Sequence, residues 1–192
     1  MKPRSDTAKP RAVRLPLSAA AAAALRSGDT VLLNGKIISA RDASLKRIAE
    51  ALQQGEKLPF RLKGQTLYYM GPTPARPGRV IGSAGPTTSS RMDSYTALLL
   101  DRGLRCTIGK GKRSAQLKQA MLRCKSVYFA VVGGAGALAS RCISSARVIA
   151  YPDLGAEAVF ELEVEDLPAV VVNDLYGHDL YEQGRAAYQK PR

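Results

Sequence analysis

LRCTIGKGKRSAQLKQAMLRCKSVYFAVV, Leu104 to Val132, is the stretch that decides the fold. LRCTIG reads as a short strand, SAQLKQAMLRC as a helix and SVYFAVV as a buried strand. Two strands joined by a crossover helix run parallel, and repetition of the unit builds an α/β sheet. The alternation continues outward. GGAGALASRCI reads as a helix and ARVIAYP as a strand after it; QTLYYMG reads as a strand and MDSYTALLLDRG as a helix before it. Further back, ASLKRIAEALQQG is amphipathic, with Leu45, Ile48, Ala49 and Leu52 on one side and Gly55 at its end. DTVLLNGKIISA predicts two short strands around an Asn34-Gly35 turn, and AVFELEVEDL and PAVVVND predict two more. Ser18 caps a short alanine helix. The expected fold is α/β with a mixed, partly parallel sheet, forming one domain over residues 15–182. A disordered basic tail at 1–14 and a flexible terminus at 183–192 flank it.

The 192 residues carry a formal charge of +13, with five basic residues in the first fourteen positions. Such a balance favours anionic partners. Aromatic residues make up only 6% and no nucleic-acid motif is present, which argues against nucleic acid. No apolar run is long enough to cross a bilayer, so no membrane role is expected. Cys106, Cys124 and Cys142 are evenly spaced without a C-x-x-C pair. They read as buried thiols in a reducing, cytoplasmic setting rather than as a disulfide framework, a zinc site or an iron–sulfur site.

Three junctions between a strand and a helix carry the chemistry. GSAGPTTSSRMDSY, Gly82 to Tyr95, places Thr87, Thr88, Ser89, Ser90 and Arg91 at a helix start. One hydroxyl suffices for a cap. Four, with an arginine one turn on, point to a bound carboxylate or phosphate. IGKGKRSAQ sets Lys110, Lys112 and Arg113 at the next junction, without P-loop spacing. Arg41-Asp42 occupies another junction, where a plain surface arginine beside a capping aspartate is the safer reading from the residues alone. Gly133, Gly134 and Gly136 lack dinucleotide-fingerprint spacing and suit close helix–strand packing. His178, the sole histidine, lies in NDLYGHDLY and reads as solvent-facing; no metal-ligand spacing is present.

In this order, GKIISARDA, YYMGPTPARPGRVIGSAGPTTSSRMDSY, TIGKGKRS, YFAVVGGAGALAS and YPDLGAEAVFELEVEDLPAVVVND resemble the β subunit, or C-terminal domain, of the class I iron–sulfur fumarase and tartrate dehydratase family. Its fumarase branch is nearer, through ARD and GPTPARPG. The resemblance implies a swivelling β/β/α domain and a hydro-lyase interconverting fumarate and malate. It further implies a 4Fe–4S cluster held by a separate α subunit, in a heterotetramer. On this resemblance Thr87 corresponds to the proposed base, and Arg91, Arg41 and Lys110 to residues holding the substrate's carboxylates, with Thr88 and Ser89 beside them. The family's histidine four residues after the ARD arginine is Leu45 here, and Lys112 stands where a polar residue such as asparagine is usual. Leucine transfers no proton. The alternative is therefore a non-catalytic accessory protein of the same fold.

Overall fold

In a computed structural model, which describes residues 9–189, seven strands and six α-helices follow one another along the chain. The strands are β1 (Arg11–Leu15), β2 (Thr30–Ser39), β3 (Thr66–Tyr68), β4 (Cys106–Gly109), β5 (Val127–Ala130), β6 (Ile143–Ala150) and β7 (Val159–Asn173). The helices are α1 (Ala19–Ala23), α2 (Asp42–Gln53), α3 (Asp93–Asp101), α4 (Ala115–Arg123), α5 (Gly136–Arg141) and α6 (Leu180–Tyr188). The fold is mixed α/β. β2, β3, β4 and β5 are parallel neighbours in that order. β7 runs antiparallel to both β5 and β2, so these five strands close into a ring of pairings. β1 shares an edge of β2 with β3, and β6 shares an edge of β7 with β5.

Side-chain alternation along the strands divides the core in two. Tyr68, Cys106, Ile108, Val127 and Phe129 join one buried cluster with Leu33, Ile37, Leu162 and Val164, all from strands of the ring. Their sequence neighbours Leu67, Tyr69 and Tyr128 point the other way and meet Leu45, Ile48 and Leu52 of α2, Leu99 of α3, and Leu117 and Met121 of α4. The helices thus cover the outer face of the parallel strands, and the carboxyl ends of β2 to β5 open onto one face.

Four expectations need correction. Arg11–Leu15 is a strand, not tail: Val13 and Leu15 are buried and the segment pairs with Val31–Gly35. Its two arginines hide an alternating pattern whose apolar side reaches the core. Residues 1–8 lie outside the described region. At the other end, residues 183–188 are helical, because Asp179 caps α6 by accepting from the Tyr181 and Glu182 N–H groups and also pairs with Lys118 at 3.1 Å; the expectation for 190–192 falls outside the described residues. The Asn34-Gly35 turn is a bulge within one ten-residue strand, since β1 and β7 flank it on both sides. Asn34 ties the bulge to its partner strand: its amide donates to Asp166 Oδ1 (3.0 Å) and accepts from the Asp166 N–H (2.9 Å). Lastly, β7 is continuous through Pro168. Among the described residues no strand pairs with its second edge between Val164 and Val170, where a missing N–H is tolerated.

Gly35 adopts φ +114°, and a Cβ there would stand 2.4 Å from the Leu15 carbonyl oxygen. Gly35→Ala is therefore expected to cost about 1–3 kcal/mol of stability from the backbone alone, with the β1 contact adding to it. Urea unfolding measures this; a change below about 0.5 kcal/mol would show that β1 does not hold the bulge.

Candidate active site

The chain leaves β2, β3, β4 and β5 at their carboxyl ends, and the expected residues stand on those exits. After β3, a loop returns to a 3₁₀ turn, Ser89–Met92, that leads into α3. Thr87 is anchored by its N–H donating to the Tyr69 carbonyl (2.7 Å), while Thr88 forms a parallel bridge to Lys110. No hydroxyl here caps a helix: neither Thr88 at the 3₁₀ turn nor Met92 at α3 makes a side-chain cap bond.

Ser89 departs from the expectation. It is fully buried and faces the protein rather than a ligand. The Lys110 N–H donates to Ser89 Oγ (3.1 Å), and the Tyr128 hydroxyl donates to the Gly111 carbonyl (2.9 Å). The remaining 2.9 Å contact between Ser89 Oγ and Tyr128 Oη is then donated by serine. The circuit Lys110 N–H, Ser89 O–H, Tyr128 O–H, Gly111 C=O pins the Lys110–Gly111 peptide from both sides. Burial pushes the Tyr128 phenol well above its ordinary value, partly offset by the Ser89 hydrogen bond and the Arg113 charge, so it stays a donor at neutral pH. Gly109 makes this fit, since a Cβ would fall 2.0 Å from Ser89 Oγ.

Arg113 is also corrected. It is no anion contact: its side chain is wholly buried, 3.0 Å from Asp93 Oδ1 and 3.0 Å from the Tyr69 hydroxyl. The Asp93 contact is close by distance without the alignment of a hydrogen bond, and Asp93 Oδ2 accepts from the Ser114 N–H (2.7 Å). Arg113 Nε and Nη1 have no oxygen partner among the described residues. Their group lies over the Tyr69 and Tyr128 rings, 5.0 Å from each centroid, and the ring faces take the place of acceptors.

At the β2 exit, Arg41 and Arg91 meet. Asp42 uses both oxygens, Oδ1 on Arg91 Nη2 (2.7 Å) and Oδ2 on Arg41 Nε (3.3 Å). Glu157 lies 3.3 Å from the same Nε and accepts from the Ala43 N–H at 2.6 Å, at the start of α2. Arg41 Nη1 and Nη2 are left without a hydrogen-bond partner among the described residues, an open fork shaped for a carboxylate. Gly71 gives the side chain its slot, because a Cβ would stand 2.7 Å from Arg41 Cδ. Lys110 runs across Gly133, whose absent Cβ would lie 3.3 Å from Lys110 Cδ. Gly136 packs on Gly85, so its close approach is to the loop after β3 and not to a strand as expected.

These groups line an open face. Four cavities of about 280–420 Å³ lie elsewhere, and none is lined by Arg41, Thr87, Arg91 or Lys110. A profile described as Fumarase C-terminus matches residues 2–184. The chain belongs to this family. It is 42% identical to Fumarate hydratase 2 of Leishmania major over 158 residues, 81% of this chain and 28% of that protein. It is 40% identical to the aerobic class I fumarate hydratase of Escherichia coli K12, over 79% of this chain and 28% of that protein. Against the putative L(+)-tartrate dehydratase subunit beta of Methanocaldococcus jannaschii, identity is 36%, over 86% of this chain and 89% of the subunit. This fumarase C-terminus chain thus spans little more than a quarter of the length of the fumarate hydratases it matches.

Its residues do not fit an iron–sulfur cluster. Among the described residues no group of three or more Cys, His, Asp or Glu could hold a metal. Cys106 is buried against the Thr66 hydroxyl (3.0 Å), and burial pushes its thiol up to about 12. Cys124 and Cys142 are half-buried instead of fully buried as expected. His178 is exposed as expected, its Nδ1 2.9 Å from Asp174, by the far end of β5 where Asn173 pairs with Tyr128. Leu45 is fully buried on the core side of α2.

Sequence reasoning missed Asp42 and Glu157 as holders of the arginines, and Tyr69 and Tyr128 as the support beneath the site. Asp42 had a signal, in its adjacency to Arg41; Glu157 had none, being 116 positions from Arg41.

Arg113→Met leaves Asp93 buried without its cation and is expected to destabilise the protein by about 3–5 kcal/mol. Adding Asp93→Asn should restore a substantial part. Urea titrations of the single and double variants test the coupling, and additive losses would show that the pair acts independently.

Proposed function

We propose that this chain is the β subunit of a two-subunit iron–sulfur hydro-lyase that reversibly hydrates fumarate to malate, or a close dicarboxylate. The reading is carried by one observation: two arginine forks spaced by one aspartate, beside an uncompensated lysine on an open face. A planar carboxylate suits each fork, and a dicarboxylate presents two. Family membership and the relatives' names support the reaction class. The swivelling β/β/α name goes with the same resemblance. A cytoplasmic, heterotetrameric assembly with a cluster-bearing α subunit completes the proposal.

In this reading the 4Fe–4S cluster belongs to the α subunit, because no cysteine set in the described part of this chain fits it. This chain binds and orients. Arg41 presents its Nη edge and Arg91 its free nitrogens to the substrate's carboxylates. Removal of the proton beside one carboxylate builds negative charge on it, and Lys110 supplies fixed positive charge for that moment. Thr87 takes the proton-handling role by motif correspondence. A threonine hydroxyl is a poor base, so the neighbouring cations must favour its ionised form or it must pass the proton on.

The test is anaerobic fumarate hydration by this chain reconstituted with its cluster-bearing partner. Arg91→Ala and Arg41→Ala are each expected to lower kcat/KM about 100-fold or more, and Thr87→Ala to lower kcat with little change in KM. A stable complex inactive on fumarate, mesaconate and tartrate would refute the hydro-lyase reading in favour of an accessory protein of this fold.

A further inference from the structure

The two arginines of the candidate site are not fixed equally. Arg41 is held along its length. Its N–H donates to Ser44 Oγ (3.0 Å) and its carbonyl accepts from the Ser44 hydroxyl (3.1 Å), at a serine that is fully buried. Farther out, Gly71 leaves room for its Cδ, and its Nε lies 3.3 Å from both Asp42 Oδ2 and Glu157 Oε1. Arg91 has no such support. Its side chain is 54% exposed. Among the described residues the Asp42 carboxylate, 2.7 Å from Nη2, is the one hydrogen-bond or ion-pair partner of its guanidinium.

Asp42 carries the wrong charge for affinity. An anion set between two cations weakens their pull on a dianion. Nor does it contribute much stability, since exposed ion pairs are worth little. What remains is geometry. Asp42 belongs to the first turn of α2, so its backbone is part of a regular element. Each of its two oxygens engages a different arginine, which makes the planar group a spacer. It fixes where the free edge of Arg91 lies relative to that of Arg41. Charge-assisted hydrogen bonds are short and directional, so two carboxylates are both satisfied only when their own separation matches the forks. In a butenedioate that separation is set by a double bond that does not rotate. A diacid one methylene longer misfits a fixed pair of forks, whereas a mobile pair accommodates it.

We infer that Asp42 is a specificity-determining positioning residue: by anchoring Arg91 at a set distance from Arg41, it makes the site select dicarboxylates by the separation of their carboxyl groups. The inference rests on the hydro-lyase reading proposed above and deepens it. The arginines supply the attraction, and Asp42 supplies the discrimination between four-carbon and longer diacids.

The test uses succinate and glutarate, which differ by one methylene and lack the double bond and hydroxyl that the reaction needs. Each is measured as a competitive inhibitor of anaerobic fumarate hydration by this chain with its cluster-bearing partner. The wild-type enzyme is expected to favour succinate about tenfold or more. Asp42→Ala should bring the two inhibition constants within about threefold of each other, chiefly by gaining glutarate affinity, because the loss of a negative charge favours both dianions. Asp42→Glu lengthens the spacer by one methylene and should shift the ratio toward glutarate. Asp42→Asn keeps the shape and one acceptor oxygen, and should fall between Asp42→Ala and wild type. A merely structural role would move kcat or the melting temperature without moving this ratio. Asp101→Asn is the control: it breaks another exposed pair, with Arg123 at 2.8 Å, and should leave the ratio unchanged. Circular dichroism melting checks folding, and Asp42→Asn carries the comparison if Asp42→Ala fails it. An active wild-type enzyme with no preference between the diacids, a ratio unmoved by the Asp42 variants, or an equal change in Asp101→Asn overturns the inference and leaves the hydro-lyase reading intact. A wild-type complex inactive on fumarate, mesaconate and tartrate overturns that reading, and this inference with it.

Discussion

The circuit from Lys110 N–H through Ser89 and Tyr128 to the Gly111 carbonyl constrains everything else at the carboxyl ends of the strands. Its members come from the exits of β3 and β4 and from the strand β5 itself. It closes only if these strands are adjacent, parallel and in the observed register, with no side chain on Gly109. Each hydrogen bond contributes on the order of 1 kcal/mol net, so its significance is geometric rather than energetic. Arg113 sits beneath, stacked between the two tyrosine rings that border it. A buried ion pair is weak support for stability, but removing one member is severe. The pair therefore commits α3 and α4 to one mutual arrangement, because Asp93 belongs to α3 and accepts from the Ser114 N–H that begins α4.

Charge at the site is divided into two kinds. Arg41 and Arg91 are held by carboxylates, which fix their orientation and neutralise much of their attraction for a ligand. Asp42 does both at once, and it sets the distance between the two guanidinium groups. Lys110 has no such partner among the described residues. In the proposed reaction the arginines are thus the ruler and the lysine the source of net field. This separates recognition of two carboxylates from stabilisation of the charge that develops on one of them.

How much of this was legible depends on the range of the interaction. The βαβ alternation is local, so the segment from Leu104 to Val132 yields β4, α4 and β5 with nearly the observed limits. The exits carrying Arg41, Thr87, Arg91 and Lys110 follow from the same alternation. What failed was pairing. Asn34-Gly35 is a good hairpin turn until strands on both sides keep it extended, and Pro168 ends a strand unless its missing N–H falls in an unpaired interval. β1 was hidden by Arg11 and Arg14, and the alternation of Val13 and Leu15 matters only once the edge of β2 is known to be available. Ser89 and Arg113 were misjudged for one reason: polar residues in a glycine-rich loop look like ligand contacts. Only Tyr69 and Tyr128, from neighbouring strands, reveal them as inward-facing.

Leu45 sharpens the demand on the remaining groups. It is packed in the cluster that contains Tyr69 and Met92, on the side of α2 that faces α3. An imidazole there would be desolvated, and leucine instead fills the space as core. The sole histidine of the chain cannot compensate, because Asp174 holds it near the amino end of β5 while the site lies at the carboxyl ends. In the proposed reaction, proton handling from this chain would therefore fall to groups without an imidazole. Thr87, half-exposed and with its N–H fixed to the Tyr69 carbonyl, is the hydroxyl to which the proposal gives that role. In the proposed hydro-lyase, any imidazole the chemistry uses must then come from the cluster-bearing subunit, and bringing the two subunits together becomes part of assembling the acid–base chemistry as well as a way to exclude water.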